Sequence, residues 1–164
     1  MSLPLKPIQV KAPFRKWGLD LIGEINPSSL GQHKWILTAT DYFTKWIEAI
    51  LTMRATDSVI IQFLEDNILS RFGMPRKLIT NNAAAFKSKK MIDFFHKYHI
   101  RLGQSTAYYL QGNRLVESSR KNLMRIIKKL LQGNKKVWHS KLIHALWANK
   151  ISVKKSIGTS HKDI

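Results

Sequence analysis

The sequence predicts an α/β domain built on a mixed sheet, from three observations. The first 51 residues hold three successive runs rich in β-branched and aromatic residues, broken by turn residues. From residue 55 the apolar period changes to that of a helix, and strand-like and helix-like segments then alternate to the end. A chain of 164 residues with 44% hydrophobic content suits one well-cored domain.

The elements follow in order. Pro4, Pro7 and Pro13, with no periodic pattern around them, mark residues 1–13 as an extended arm, and the domain is expected over 14–160 with a short tail at 161–164. KWGLDLIGEI, Lys16 to Ile25, alternates around Asp20 as a first strand, and NPSSLGQ supplies the turn. KWILTATDYFTKWIEAIL, Lys34 to Leu51, carries polar Asp41 and Thr44 at its centre, which predicts two strands joined by a tight hairpin. In ATDSVIIQFLEDNILSRFG, Val59, Ile60, Phe63, Leu64, Ile68 and Phe72 form one helical stripe, with Thr56 or Asp57 as N-cap and Gly73 as the stop. RKLIT then leads a fourth strand to Asn81, a helix covers Ser88 to His99, and Ile100 to Ser105 reads as a short fifth strand. A long helix is expected from near Leu115 to Gly133, with Leu115, Ser119, Leu123, Ile126, Ile127 and Leu130 inward. A last helix is expected from about Lys135 to Val153, burying Trp138, Leu142 and Leu146.

Composition narrows the function classes. No apolar run approaches the length needed to span a bilayer, and the first residues carry charge where a signal peptide has its apolar stretch, so a soluble intracellular protein without membrane partners is expected. The absence of cysteine excludes disulfides and thiolate zinc sites. His96 and His99, beside Phe94, Phe95 and Tyr98, read as helix residues rather than metal ligands. Twenty-eight Lys and Arg against ten Asp and Glu give a net charge of +18, a field that draws polyanions. From Gln111 onward there are thirteen Lys/Arg and two acids, so the last third is the expected polyanion surface. Arg120, Lys121, Arg125, Lys128 and Lys129 lie on the long helix there.

Three distant residues form the chemical constellation. Asp20 lies mid-strand, Asn81 at the end of strand four, and Glu117 in the first turn of the long helix. In an α/β sheet those three places meet at one edge, and two carboxylates with an amide make an incomplete metal site. Taken singly, each has a bland reading, since acids at helix N-termini are favoured by the helix dipole anyway.

The segments PFRKWGLDLIGEI, TATDYFTKWIEA, RFGMPRKLITNN and AYYLQGNRLVESSRKNL, in that order, resemble the catalytic core of retroviral-type integrases, most closely those of plant gypsy-type retrotransposons. The resemblance implies a ribonuclease H-like fold with a five-stranded mixed sheet, and a DDE triad whose Asp, Asp and Glu fall on Asp20, Asn81 and Glu117. Such enzymes hold two magnesium ions roughly 3.5–4 Å apart, which requires concentrated negative charge. Asn81 keeps one carbonyl oxygen but removes a full charge. The expectation is therefore weak magnesium or manganese binding, one ion at most, between Asp20 and Glu117, with no zinc. Leu110 and Arg114 also depart from the family's YxPQGNG loop, where Pro and Gly stand, and Arg114 lacks the freedom of Gly to take positive φ.

What the resemblance implies about function is a derived integrase core, catalytically silent, without the zinc-binding and basic modules that flank the core in the family. Arg114, Arg120, Lys121, Arg125 and Lys128 are the expected contacts to DNA or RNA, Lys121 standing one turn after Glu117. A homodimer is expected through surfaces near Ile61 to Asn67 and His144 to Lys150, with Trp147 as either an interface residue or a buried intrachain one, and a host protein partner and nuclear residence are expected. Two other readings stay open at this point. One is an active polynucleotidyl transferase in which Asn81 is an introduced substitution or supports weak activity. The other is a pure protein-interaction module on the integrase scaffold.

Overall fold

The computed structural model describes residues 12–25, 32–80, 86–104, 118, 121–126, 128–130 and 140–144, with the backbone of 152–155. Its centre is a sheet of strands β1 (Lys16–Ile22), β2 (Trp35–Asp41), β3 (Ile47–Thr52), β4 (Lys77–Thr80), β5 (Arg101–Gln104) and β6 (Ser152–Lys155), in the order β5-β4-β1-β2-β3-β6. β1, β2 and β3 are antiparallel neighbours, while β4 lies parallel to β1, and β5 parallel to β4. The five strands expected from the sequence are all present in a mixed sheet. β6 is an addition and a correction: it pairs in parallel with β3, where the last helix was expected to run on to Val153. The Ser-Val-Lys-Lys stretch has a β-branched residue, and β3 otherwise ends the sheet with open backbone groups, so pairing satisfies them.

β1 gives the sheet its two faces. Trp17 and Leu19 enter one apolar cluster with Leu37, Ala39, Ile50 and Leu78, covered by helix α1 (Asp57–Phe63) and helix α2 (Lys89–Lys97). Ile22 enters a second cluster with Ile36, Ala49 and Leu51, on the other face, with Leu123 and Leu142. Leu123 belongs to α3, helical at 118, 121–126 and 128–130, and Leu142 to α4, helical at 140–144. The arrangement is a three-layer sandwich, helices on both faces of one sheet.

Local chemistry explains the elements. Asp41 holds the β2–β3 hairpin: its carboxylate accepts from the Thr44 N–H at 2.8 Å, the Thr44 hydroxyl at 2.6 Å and the Phe14 N–H at 3.0 Å. Thr56 caps α1 by accepting from Val59 N–H, and Ser88 caps α2 by accepting from Met91 N–H. The α1 axis continues past Phe63 through a π-helical stretch, Leu64–Leu69, and a last turn, Ser70–Phe72, ending at Gly73 with φ 86°. Gly23 sits so close to Trp35 that a Cβ there would stand 2.6 Å from the indole, so only glycine fits.

Besides Asp41, two further charged groups, Glu48 and Lys16, are buried among the described residues. Glu48, 0% exposed on β3, accepts from Arg71 Nη1 at 2.8 Å, from Trp46 Nε1 at 2.6 Å and from Asn67 Nδ2 at 3.4 Å, tying the sheet to the far end of α1. Lys16, at the start of β1, lies over the Tyr42 ring at 4.6 Å, and burial, followed by repulsion from Lys77, lowers its pKa from 10.5 to about 8.

Each makes a stability prediction. Removing Arg71 leaves the Glu48 carboxylate without its counter-charge, so Arg71→Met is expected to cost about 2 kcal/mol in urea unfolding, and adding Glu48→Gln to recover most of it. Because the Lys16 pKa is lower in the folded chain, the unfolded state binds more protons between about pH 8 and pH 10.5, and stability rises with pH across that window. Lys16→Met is therefore expected to raise stability by about 1–3 kcal/mol at pH 7, with the gain vanishing above about pH 10.5 in pH-dependent melts.

Candidate nucleic-acid interface and catalytic site

Alternation along β1 points Asp20 to the α3 side of the sheet, away from Trp17 and Leu19. It is half-buried and central, paired with Thr38 of β2, whose hydroxyl donates to the Asp20 carbonyl at 3.4 Å. Its Oδ1 accepts from the Leu21 N–H at 2.9 Å, and its Oδ2 is buried. On the other side, the parallel register of β1 with β4 pairs Leu19 with Thr80, itself 2% exposed. Thr80 is the residue before Asn81, as Leu19 is the residue before Asp20. Asn81, Glu117, Arg114 and Arg120 lie outside the described residues, as does Trp147.

The basic helix is amphipathic. Leu123 is buried, and Met124, Ile126 and Leu130 pack against the same cluster, which holds α3 over Ile22, Ile36 and Leu51. Lys121, Arg125, Lys128 and Lys129 are exposed. At 3.6 residues per turn, these four span an arc of roughly 100° on the outer face. Arg125 is oriented by Asn122, to whose Oδ1 its Nη2 donates at 2.7 Å. Of the contacts expected from the sequence, the structure thus brings Lys121, Arg125 and Lys128 together on one exposed stripe.

Other expectations fall out differently. In the stretch 61–67, Phe63, Leu64 and Asn67 are buried within the chain, leaving Gln62 and Glu65 as its exposed residues. His96 and His99 are exposed, and among the described residues no three His, Asp or Glu side chains gather to hold a metal. The sequence reading missed the neighbouring lysines Lys16 and Lys77. Their signal was a repeated Arg-Lys pair before an apolar run, at 15–16 and 76–77.

Of the three residues expected to hold metal, Asp20 alone lies among the described residues, and a single carboxylate does not supply the charge that two divalent ions require. No reaction step through a metal follows from it.

Residues 10–109 match the integrase core domain family, and the chain belongs to that family. It is 30% identical over 139 residues to the Gag-Pol polyprotein of avian reticuloendotheliosis virus and 29% identical over 138 residues to the Pro-Pol polyprotein of simian foamy virus type 3. These alignments take in 85% and 84% of this chain but 12% of each polyprotein, so the chain corresponds to a small part of those relatives. Among solved structures it is similar to a chain of the simian T-cell lymphotropic virus intasome in complex with PP2A regulatory subunit B56 gamma. The TM-score is 0.64 at 22% identity, over 83% of this chain and 48% of that one. It is also similar to the catalytic core domain of BIV integrase, with TM-score 0.63 and 17% identity over 82% of both chains. The fold is ribonuclease H-like. Among the described residues, no helix is long and apolar enough to cross a membrane.

The two sides of α3 separate stability from binding. Leu123→Ala is expected to cost about 3 kcal/mol in chemical denaturation. Lys121→Gln and Lys128→Gln are expected to leave stability within about 0.5 kcal/mol, as solvated surface changes do.

Proposed function

We propose that this chain is a derived, gypsy-type retrotransposon integrase core that has lost catalysis and acts by binding nucleic acid. The observation that carries the reading is the exposed stripe of Lys121, Arg125, Lys128 and Lys129 on a helix whose other side is anchored in the core. A net charge of +18 adds to it, and so does Asn81 in the position of the family's second acid, which leaves Asp20 and Glu117 to hold one weakly bound magnesium or manganese ion at most. Arg114 and Arg120 extend the same basic segment. Duplex DNA is the proposed ligand and RNA a competitor, with nuclear residence following from the ligand. A homodimer and a host protein partner belong to the same reading, by analogy with the intasome relative found in complex with a regulatory subunit.

A second reading, an enzyme silenced at a single position, draws on one observation. The β1–β4 register pairs Thr80 with Leu19, so the residue that precedes Asn81 in the chain is aligned with the one that precedes Asp20.

The experiment is cleavage and rejoining of a labelled branched DNA with magnesium or manganese, beside a salt titration of duplex binding. The chain as it stands is expected to give no product with either ion. Its binding constant is expected to fall with salt, with a logarithmic slope near −3 for about three neutralised phosphates. Lys121→Gln/Arg125→Gln/Lys128→Gln is expected to remove most of that slope. Product formed by Asn81→Asp alone would move the assignment to the enzyme, and salt-independent or absent DNA binding would sink the proposed one.

A further inference from the structure

The two sides of the sheet end on strands of different character. β5, beyond β4, is four residues long, opens on the exposed Arg101 and contains Gly103. β3, on the other side, is six residues long, Ile-Glu-Ala-Ile-Leu-Thr, and buried throughout with β6 in place. It has no Pro or Gly, and its one charge, Glu48, is held within the fold by Arg71, Asn67 and Trp46. A long apolar strand of this kind lacks the usual devices against edge-to-edge pairing between chains. Among the described residues, its outer side is covered by β6, a strand of four residues.

Hydrogen-bond alternation fixes which groups β6 meets. The Asp41 N–H donates to the Trp46 carbonyl at 2.8 Å, and the Tyr42 N–H to the Lys16 carbonyl at 3.0 Å. Bonded pairs recur at every second residue of an antiparallel ladder, so Glu48 and Ile50 turn their backbone groups to β2, and Ile47, Ala49 and Leu51 turn theirs outward. β6 runs parallel, with Ala49 opposite Val153 and Leu51 opposite Lys155. In a parallel ladder the outward residue bonds the two neighbours of its partner, so Ala49 bonds the backbones of Ser152 and Lys154. Ile47 lies beyond the register of β6.

We propose that β6 is a removable cover, and that the β3 edge beneath it is a pairing surface for β3 of a second copy of this chain. The strand is self-complementary about a two-fold axis at Ala49. Antiparallel pairing there sets Ala49 against its own counterpart and Ile47 against Leu51 on either side, so the outward N–H and C=O groups of all three are bonded. Ala49 and Leu51 belong to the cluster beneath α3, and Ile47 shares their face by alternation, so apolar side chains meet apolar ones there. The same register puts Glu48 opposite Ile50 rather than a second Glu48, so no like charges face each other. β6 reaches fewer of these residues, and in the parallel form, which is the weaker per residue. A short strand with one neighbour is also the part of a sheet that opens first. The joined edges form one continuous sheet through backbone bonds, a contact distinct from the helix surfaces expected near residues 61–67 and 144–150.

The test compares three full-length chains without nucleic acid: the parent, Lys154→Pro and Lys155→Pro. The Lys154 N–H faces β3 and the Lys155 N–H faces away, so proline removes a ladder bond at the first position and none at the second, with the same change of charge. In sedimentation velocity, Lys154→Pro is expected to self-associate about tenfold or more tightly than the other two, as the loss of one ladder bond opens the cover. In hydrogen exchange, its Ala49 and Leu51 amides are expected to lose protection in dilute solution and regain it as concentration rises. Ile50, bonded to β2, is expected to stay protected throughout. Association of Lys154→Pro no tighter than that of Lys155→Pro overturns the proposal, as does association that leaves Ala49 and Leu51 unprotected. Weaker association than in the parent overturns it too, because β6 is then itself the strand exchanged between copies. Loss of protection at Ile50 together with Ala49 also overturns it, since β6 is then integral to the sheet rather than a cover.

Discussion

The rest of the structure depends on the register of β1, held between an antiparallel neighbour and a parallel one. Its side chains alternate strictly, so Trp17 and Leu19 fill the core beneath α1 and α2 while Lys16, Asp20 and Ile22 lie on the α3 side. A slip of one residue against β2 or β4 would drive Asp20 into the larger apolar cluster and expel Trp17 from it. Burying an unpaired carboxylate and exposing an indole each cost several kcal/mol, so the register is strongly specified. The position of Asp20 at the centre of the sheet is thus a consequence of where Trp17 must go. The same register sets Lys16 beside Lys77.

Much of this frame was legible in the sequence, for physical reasons that differ by element. The hairpin was readable because Asp41 and Thr44 interrupt two β-branched runs, and the structure finds Asp41 binding Thr44 there. The helical axis that begins with α1 was readable at both ends, from Thr56 as cap and Gly73 as stop, and in its stripe of Val59, Ile60, Phe63, Leu64 and Ile68. Its π-helical stretch was not, because the apolar period alone does not distinguish i+4 from i+5 bonding; Asn67 turns inward there to reach Glu48. β6 was missed because the period of the preceding helix was extrapolated through Val153, and four residues carry too little pattern to override it. In the candidate site, the position of Asp20 and the outward face of Lys121, Arg125 and Lys128 could be read from alternation and helical period. The repeated Arg-Lys pairs at 15–16 and 76–77 mark the two lysines, but that they are neighbours could not be read, since parallel register is a long-range property that neither strand encodes alone.

The distribution of acids completes the electrostatic argument. Asp41 and Glu48 are fully buried and satisfied within the fold by Thr44 and Phe14, and by Arg71, so they stabilise local structure and offset little of the outer field. Glu24 is paired with Lys34 at 3.3 Å. Asp57, Glu65 and Asp66 lie on the α1 axis and Asp93 on α2, the two helices that cover the Trp17 face. Those acids are matched by Arg71, Lys89, Lys90 and Lys97 on the same helices, whereas α3 and the starts of β1, β4 and β5 carry cations and no acid among the described residues. Among the described residues the positive charge is therefore sided. A polyanion approaching such a molecule is steered to particular surfaces, with rates that fall as salt screens them.

Sidedness also bears on what the loss of an acid does in a protein of this family. At a catalytic centre, a triad of carboxylates repels phosphate until divalent ions neutralise it, so substrate binding and metal binding are linked. In the proposed reading, Asn81 in place of one of the three would lower that repulsion along with the affinity for metal. Such a chain, keeping the basic helix, would hold nucleic acid with less dependence on divalent ions. Binding and catalysis would then come apart at a single position, while α3 is anchored by Leu123 over Ile22 and Ile36.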